Sequence, residues 1–188
     1  MATFYKITNA EENHFGFQYR DGLNILIDKF DDDPTHHCCK GGFYFTDIEY
    51  IFAYMSYGIY VREVMLPMEN PDFRIVDDAY KYRANMLVFG KRYNLDDVET
   101  YKMLIDRGAD IGAGGNAALK TNAAAGRMDI VKYLVEKGAN IRADNDQALK
   151  YAAIGGHLEI MRYLIKCGAN VNVLDKTLIN KLVLSMSR

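Results

Sequence analysis

The stretch Gly126–Asn140, GRMDIVKYLVEKGAN, decides how this chain is read. It returns as GGHLEIMRYLIKCGAN, ending at Asn170, and appears earlier, more faintly, as VETYKMLIDRGAD, ending at Asp110. The three ends are thirty residues apart, and residues 116–140 share eleven of twenty-five positions with residues 146–170. Most of the differences keep volume or charge, as in Met128/Leu158, Asp129/Glu159, Lys132/Arg162 and Val135/Ile165. A fixed period with matched chemistry is the mark of an internal repeat.

Each copy predicts a pair of helices. The first, over 117–125 and again over 147–154, carries Ala and Leu on the face that packs closely. Gly126 and Gly156 end it. In the second, Met128, Val131, Leu134 and Val135 form one apolar stripe, repeated as Leu158, Met161, Leu164 and Ile165, with Lys132 and Glu136 on the opposite face. Gly138 and Gly168 follow its end, where a left-handed residue is needed, and Ala-Asn-Ile or Ala-Asn-Val then begins a short extended excursion. One unit cannot bury its own stripe, whereas stacked units can.

The run G-H-L-E-I-M-x-Y-L-I-x-x-G-A-N-V-N from Gly156 to Asn172 resembles the outer helix and following hairpin of an ankyrin repeat, and Gly126–Asn140 matches nearly as well. The period is shorter than the usual ~33 residues of that family. A-L-K stands where most ankyrin repeats have T-P-L-H, so Lys120 and Lys150 occupy the His place and the family's usual side-chain hydrogen-bond network is expected to be missing. The phrase A-D-N-D-x-A-L at Ala143–Leu149 is similar to ankyrin-repeat proteins of giant amoeba-infecting viruses. Those proteins also resemble the N-terminal half, through G-G-x-Y-F-T at Gly41–Thr46 and Y-G-x-Y-x-R-E-V-x-L-P at Tyr57–Pro67. The resemblance implies a family-specific N-terminal domain joined to a repeat stack, and a protein partner in an infected host cell.

With 188 residues the chain can bury one sizeable core or two small ones. Its 23 basic and 25 acidic residues give a formal net charge of −2, which supplies no electrostatic footprint for nucleic acid or anionic membrane. The uncharged run Tyr50–Val61 is too short and too polar to span a bilayer. Met1–Asn9 has no apolar segment of the kind that opens a signal peptide. Three cysteines, two of them adjacent, make no disulfide framework. An intracellular location follows, in the host cytoplasm or nucleus if the viral resemblance holds.

All nine Phe precede Gly90, whereas the second half fills its core with Ala, Leu, Ile and Val. Two differently built parts are expected: a small α+β domain over 1–93, then an all-α ankyrin stack over 94–188. The stack divides into a partial unit (94–112), full units (113–142 and 143–172) and a C-terminal capping helix (173–188). In the first part, 3–7 reads as a strand. Leu23, Ile25 and Ile27 alternate as a strand covered on one face, and Phe43–Phe45 is a short aromatic strand. Thr46-x-x-Glu49 reads as a capping box for a helix bearing Ile48, Ile51, Phe52 and Met55. Gly58 stops the helix, and 59–66 forms a strand with Ile59, Val61, Glu63 and Met65 on one side. Segments 73–76 and 86–89 bring the total to roughly five strands.

Candidate chemistry is sparse. His36-His37-Cys38-Cys39 has zinc-ligand residue types, but four consecutive residues cannot easily surround a tetrahedral ion. No metal and no cofactor is therefore expected. Gly112–Leu119 (GAGGNAAL) lacks the Lys-Ser/Thr of a phosphate-binding loop. The order His14, Tyr19, G-G-x-Y-F-T, helix and a strand with Glu63 resembles ADP-ribosyltransferase-like domains, and that resemblance would make His14, Tyr44 and Glu63 an NAD site. The fold of residues 1–93 discriminates, since an open split sheet favours that alternative and a filled aromatic core disfavours it. The favoured reading is a non-enzymatic interaction protein, monomeric or weakly dimeric. Its surface combines turn tips at 113–116, 143–146 and 173–176, including Asn116, Asn145 and Asp146, with the exposed inner-helix positions Lys120, Thr121, Lys150, Tyr151 and Ile154. Tyr151 is the expected anchor.

Overall fold

The strand expected over 3–7 forms as Phe4–Thr8, and the computed structural model, which describes residues 3–36, 40–78 and 80–179, builds the N-terminal part on it. Strands β1 (Phe4–Thr8), β6 (Tyr60–Met65), β9 (Met86–Asn94) and β4 (Gly22–Ile25) form an antiparallel sheet in that order. A second sheet has the order β5 (Phe43–Phe45), β8 (Lys81–Ala84), β7 (Ile75–Asp78). A short hairpin pairs β2 (Asn13–His14) with β3 (Phe17–Gln18). Reciprocal backbone bonds between Tyr5 and Thr46, both 2.8 Å, join the two larger sheets. Their shared core consists of Tyr19, Phe43, Phe45, Val64, Ala84, Leu87 and Phe89, with Phe4 edge-on to Phe45 and Tyr82. Burying an aromatic side chain of this size contributes about 1.5–3 kcal/mol.

Several local expectations fail for identifiable reasons. In β4 it is Asn24 that is fully buried, while Ile27, beyond the strand's end, is 90% exposed. The Asn24 amide donates to the Arg20 and Gly22 carbonyls and accepts from Arg20 N, so closing this turn draws the polar residue inward. The capping box does not form. Thr46 Oγ1 instead donates to the Tyr80 carbonyl at 2.7 Å, and the helix, Ile48–Tyr57, is of the 3-10 type with Asp47 at its N-cap. In β6 the expected alternation breaks at a register shift between Arg62 and Val64. Gly58 does end the 3-10 helix, by close approach: a Cβ there would lie 2.0 Å from the Thr8 carbonyl oxygen.

Helix α1 (Val98–Asp106) aligns in sequence with the outer helices of the repeats, yet its side chains complete the first compact unit, which runs from Met1 to Asp110. Tyr101 stacks on Phe52 of the 3-10 helix at 5.7 Å, and Asp110 N donates to the Glu49 carbonyl.

The second unit, Ile111–Arg188, holds two helix pairs: α2 (Ala113–Ala124) with α3 (Met128–Glu136), and α4 (Ala143–Ile154) with α5 (Leu158–Lys166). The inner helices bury Ala118, Leu119 and Ala123, then Ala148, Leu149 and Ala153. The outer helices bury Ile130, Val131 and Leu134, then Ile160, Met161 and Leu164. The stripe is thus centred on Ile130 and Ile160, with Met128, Val135, Leu158 and Ile165 at its half-buried margins. Both outer helices close with the same pair of backbone bonds, Gly138 N to Val135 O with Ala139 N to Leu134 O, and Gly168 N to Ile165 O with Ala169 N to Leu164 O. Leu178 and Ile179 continue a helical turn that starts at Lys176, and the remainder of the expected capping helix lies outside the described residues.

Candidate functional site

The expected extended excursion between repeats is a turn of left-handed backbone. Gly114, Gly115 and Asn116 have φ of 60°, 64° and 61°, and Asp144, Asn145 and Asp146 have 52°, 57° and 58°. Left-handed backbone costs most residues about 1–2 kcal/mol, and Gly, Asn and Asp are the types that tolerate it. A-G-G-N and A-D-N-D are therefore two chemical solutions to one backbone requirement.

The last residue of each turn has a second task. Asn116 Oδ1 accepts from Asn140 N at 2.7 Å, and Asp146 Oδ1 accepts from Asn170 N at 2.9 Å. Asp146 also takes Arg142 Nε at 2.7 Å. Asn116 and Asp146 are consequently buried, each tying its turn to the turn that follows, and neither belongs to an exposed surface. Lys120, in the family's His place, reaches the next repeat: its Nζ lies 2.5 Å from Asp144 Oδ2. The His157 ring adds a third bond, with Nε2–H donating to the Ala124 carbonyl at 2.9 Å. Different groups thus supply a hydrogen-bond network where the usual ankyrin one is missing.

The rest of the expected surface is accessible. Asn145 is exposed, while Thr121 and Lys150 are half-buried. Tyr151 is 38% exposed and Ile154 81% exposed, large apolar groups on one face of α4 and one helical turn apart. Ala124, at the position of Ile154 in the preceding copy, is also exposed.

The N-terminal unit does not assemble the residues of the NAD alternative. His14 and Tyr44 line a cavity of about 120 Å³ between β1, β2, β5 and the 3-10 helix, but Glu63 is not among its lining residues. Glu63 accepts from Arg107 and from the Tyr93 hydroxyl, both at 2.7 Å. Burial raises the Glu63 pKa, but these two donors outweigh it and leave the carboxyl below its usual range. Arg62 lies against Asp21 and Glu12, and Arg83 donates to the Asp33 and His36 carbonyls, pinning that loop. His36 itself pairs with Asp31 at 2.9 Å, while His37, Cys38 and Cys39 lie outside the described residues.

Sequence reasoning missed Lys6, whose Nζ donates to the Tyr44 carbonyl at 2.7 Å beside the Tyr19 ring. Burial depresses its pKa to about 7. Between Tyr5 and Ile7 it reads as an outward-facing strand residue, and no sequence signal marks it otherwise. His14 is driven down to about 4, first by burial and then by the Lys6 charge.

Among the described residues no helix is long and apolar enough to cross a membrane. A sequence model of ankyrin repeats in three copies matches residues 91–175. An uncharacterized protein of Acanthamoeba polyphaga mimivirus is 45% identical over 132 residues, covering 70% of this chain and 96% of that protein. Two proteins of the same virus named as ankyrin repeat proteins are 44% and 45% identical over 69% and 70% of this chain. The chain spans 64% and 40% of their lengths. With its strand-rich N-terminal region, its thirty-residue helix pairs and these relatives, the chain belongs to the mimivirus type of ankyrin-repeat protein.

Proposed function

We propose that this chain is a non-enzymatic protein-interaction module whose repeats offer the exposed face of α4, extended by Thr121 and the Asn145 turn, to a protein partner. Ankyrin repeats as a class indicate protein binding. The observation that carries the assignment to this face is the pair Tyr151 and Ile154, large apolar side chains left at the surface of an otherwise well-buried repeat. A tyrosine anchors interfaces effectively because it combines wide apolar area with a hydroxyl at small entropic cost. Around the pair, the Lys120–Asp144 ion pair and Lys150 provide a polar rim, the arrangement found at specific interfaces. The viral source of the relatives makes a host-cell protein the partner to seek first, and it implies action inside the host cell.

The test is affinity capture from amoeba lysate with the wild-type chain and with a Tyr151→Ser/Ile154→Ser double variant. The reading predicts proteins held by the wild type and released by a variant whose urea midpoint is unchanged. Equal retention of the same proteins by both would remove this face from the account.

A further inference from the structure

The cavity in the N-terminal unit carries a charge imbalance that the aromatic core does not explain. Lys6 is only 7% exposed, and its ammonium has three N–H donors, of which one meets the Tyr44 carbonyl. The Tyr19 ring centroid lies 5.3 Å from the Lys6 nitrogen, and no carboxylate pairs with it among the described residues. The other lysine of the lining, Lys81, has its charge met by Asp78 at 3.4 Å. No Asp or Glu lines the cavity, and His14 is neutral at pH 7. Burying an ammonium without a counter-charge is costly and lowers the Lys6 pKa to about 7, so the geometry favours an anionic acceptor beside Lys6, which holds the ammonium in its charged form.

The size of the space limits what can fill that position. An apolar cavity of about 150 Å³ admits benzene, whereas drug-sized ligands occupy about 300–1,000 Å³. At about 120 Å³ the cavity is too small for a dinucleotide and suits one ring with a short polar group. Its walls are ring and aliphatic surface from Tyr19, Phe45, Ile51 and Phe15.

We propose that this cavity binds a small aromatic monocarboxylate, with the ring among Tyr19, Phe45 and Ile51 and the carboxylate on Lys6 Nζ. A carboxylate accepts the free N–H groups and supplies the missing negative charge, while the ring replaces water against apolar walls. The site is separate from the repeat surface and does not depend on it.

Benzoate, phenylacetate and 4-hydroxybenzoate are the acids to titrate into the full chain, with benzamide as the neutral control, followed by amide nitrogen–proton NMR. At least one acid should shift amides within 5–9, 13–15 and 44–46, and benzamide should bind about tenfold or more weakly than benzoate, because it lacks the charge. Lys6→Met should weaken the best acid by about tenfold or more, and the bound acid should also raise the wild-type melting temperature. The proposal is overturned if no acid perturbs those amides, if benzamide matches benzoate, or if Lys6→Met binds as the wild type does. Should Lys6→Met not fold, the acid and amide comparison on the wild type decides alone.

Discussion

Replacing Asp146 tests whether the left-handed turn and its buried acceptor hold successive repeats together. Asp146→Ala removes the acceptor of Asn170 N, and a buried N–H left unpaired costs about 1–3 kcal/mol. It also places alanine at φ 58°, which adds about 1 kcal/mol relative to a residue that tolerates left-handed backbone. The Arg142 partner is 56% exposed, so its loss adds at most about 1 kcal/mol. The sum is about 3 kcal/mol. With a urea dependence of about 2 kcal/mol per molar, the midpoint should fall by about 1.5 M. Asp146→Asn is the control, because Asn116 does the same task in the preceding copy through the same oxygen. Asp146 Oδ2 meets no donor among the described residues, so exchanging it for an amide nitrogen forfeits no bond, and the midpoint should move by less than about 0.5 M. The chain has no tryptophan, so helical far-UV circular dichroism is the appropriate readout. If alanine and asparagine shift the midpoint equally, the carboxamide or carboxylate oxygen is not what joins the repeats.

Four further substitutions probe other parts of the account. Leu134→Ala or Leu164→Ala, each at a fully buried site, should cost about 2–5 kcal/mol in urea unfolding, and a loss no greater than a surface change would show that the helix faces are wrongly assigned. Gly58→Ala drives a Cβ to 2.0 Å from the Thr8 carbonyl oxygen and should destabilise the N-terminal unit by about 3 kcal/mol or more, seen as a lower melting temperature in near-UV tyrosine circular dichroism. Lys6 gives a pH signature. Its folded pKa is lowered to about 7 from 10.5, so between those values the unfolded chain holds a proton that the folded chain has released. Stability should therefore rise as pH increases from about 7 towards 10, by at most about 5 kcal/mol, and Lys6→Met should flatten that rise.

The helical half was legible because its information is periodic. Two copies thirty residues apart revealed the helices, their glycine ends and the burial of Leu134 and Leu164, although the stripe is centred on Ile130 and Ile160 and leaves the expected Met128 and Leu158 at its margin. What the repeat could not reveal was the conformation of the link. A-D-N-D looks like a polar tip, and only the left-handed backbone explains why three consecutive residues are drawn from Gly, Asn and Asp and why Asp146 points inward. The N-terminal half was harder, because several decisive residues oppose the usual polarity rules. Asn24, Arg83 and Lys6 are buried by hydrogen bonds to backbone carbonyls, and such bonds leave no trace in hydrophobic alternation. The strands Asn13–His14 and Phe17–Gln18 are too short to establish a period of two, and Lys81–Ala84 is half charged. For the candidate surface, Tyr151 and Ile154 were identifiable from the inner-helix register, whereas Asn116 and Asp146 were misplaced because the link was read as an ordinary hairpin.

The most direct test of the interaction surface is site-specific photocrosslinking in amoeba lysate, with a benzophenone amino acid placed at Ile154 and, separately, at Lys132 on the exposed side of α3. The account predicts a discrete crosslinked protein from position 154 that is absent from position 132 and is competed away by unlabelled wild-type chain. Equal crosslinking from both positions, or none from 154 under conditions where the chain captures a partner, would contradict it.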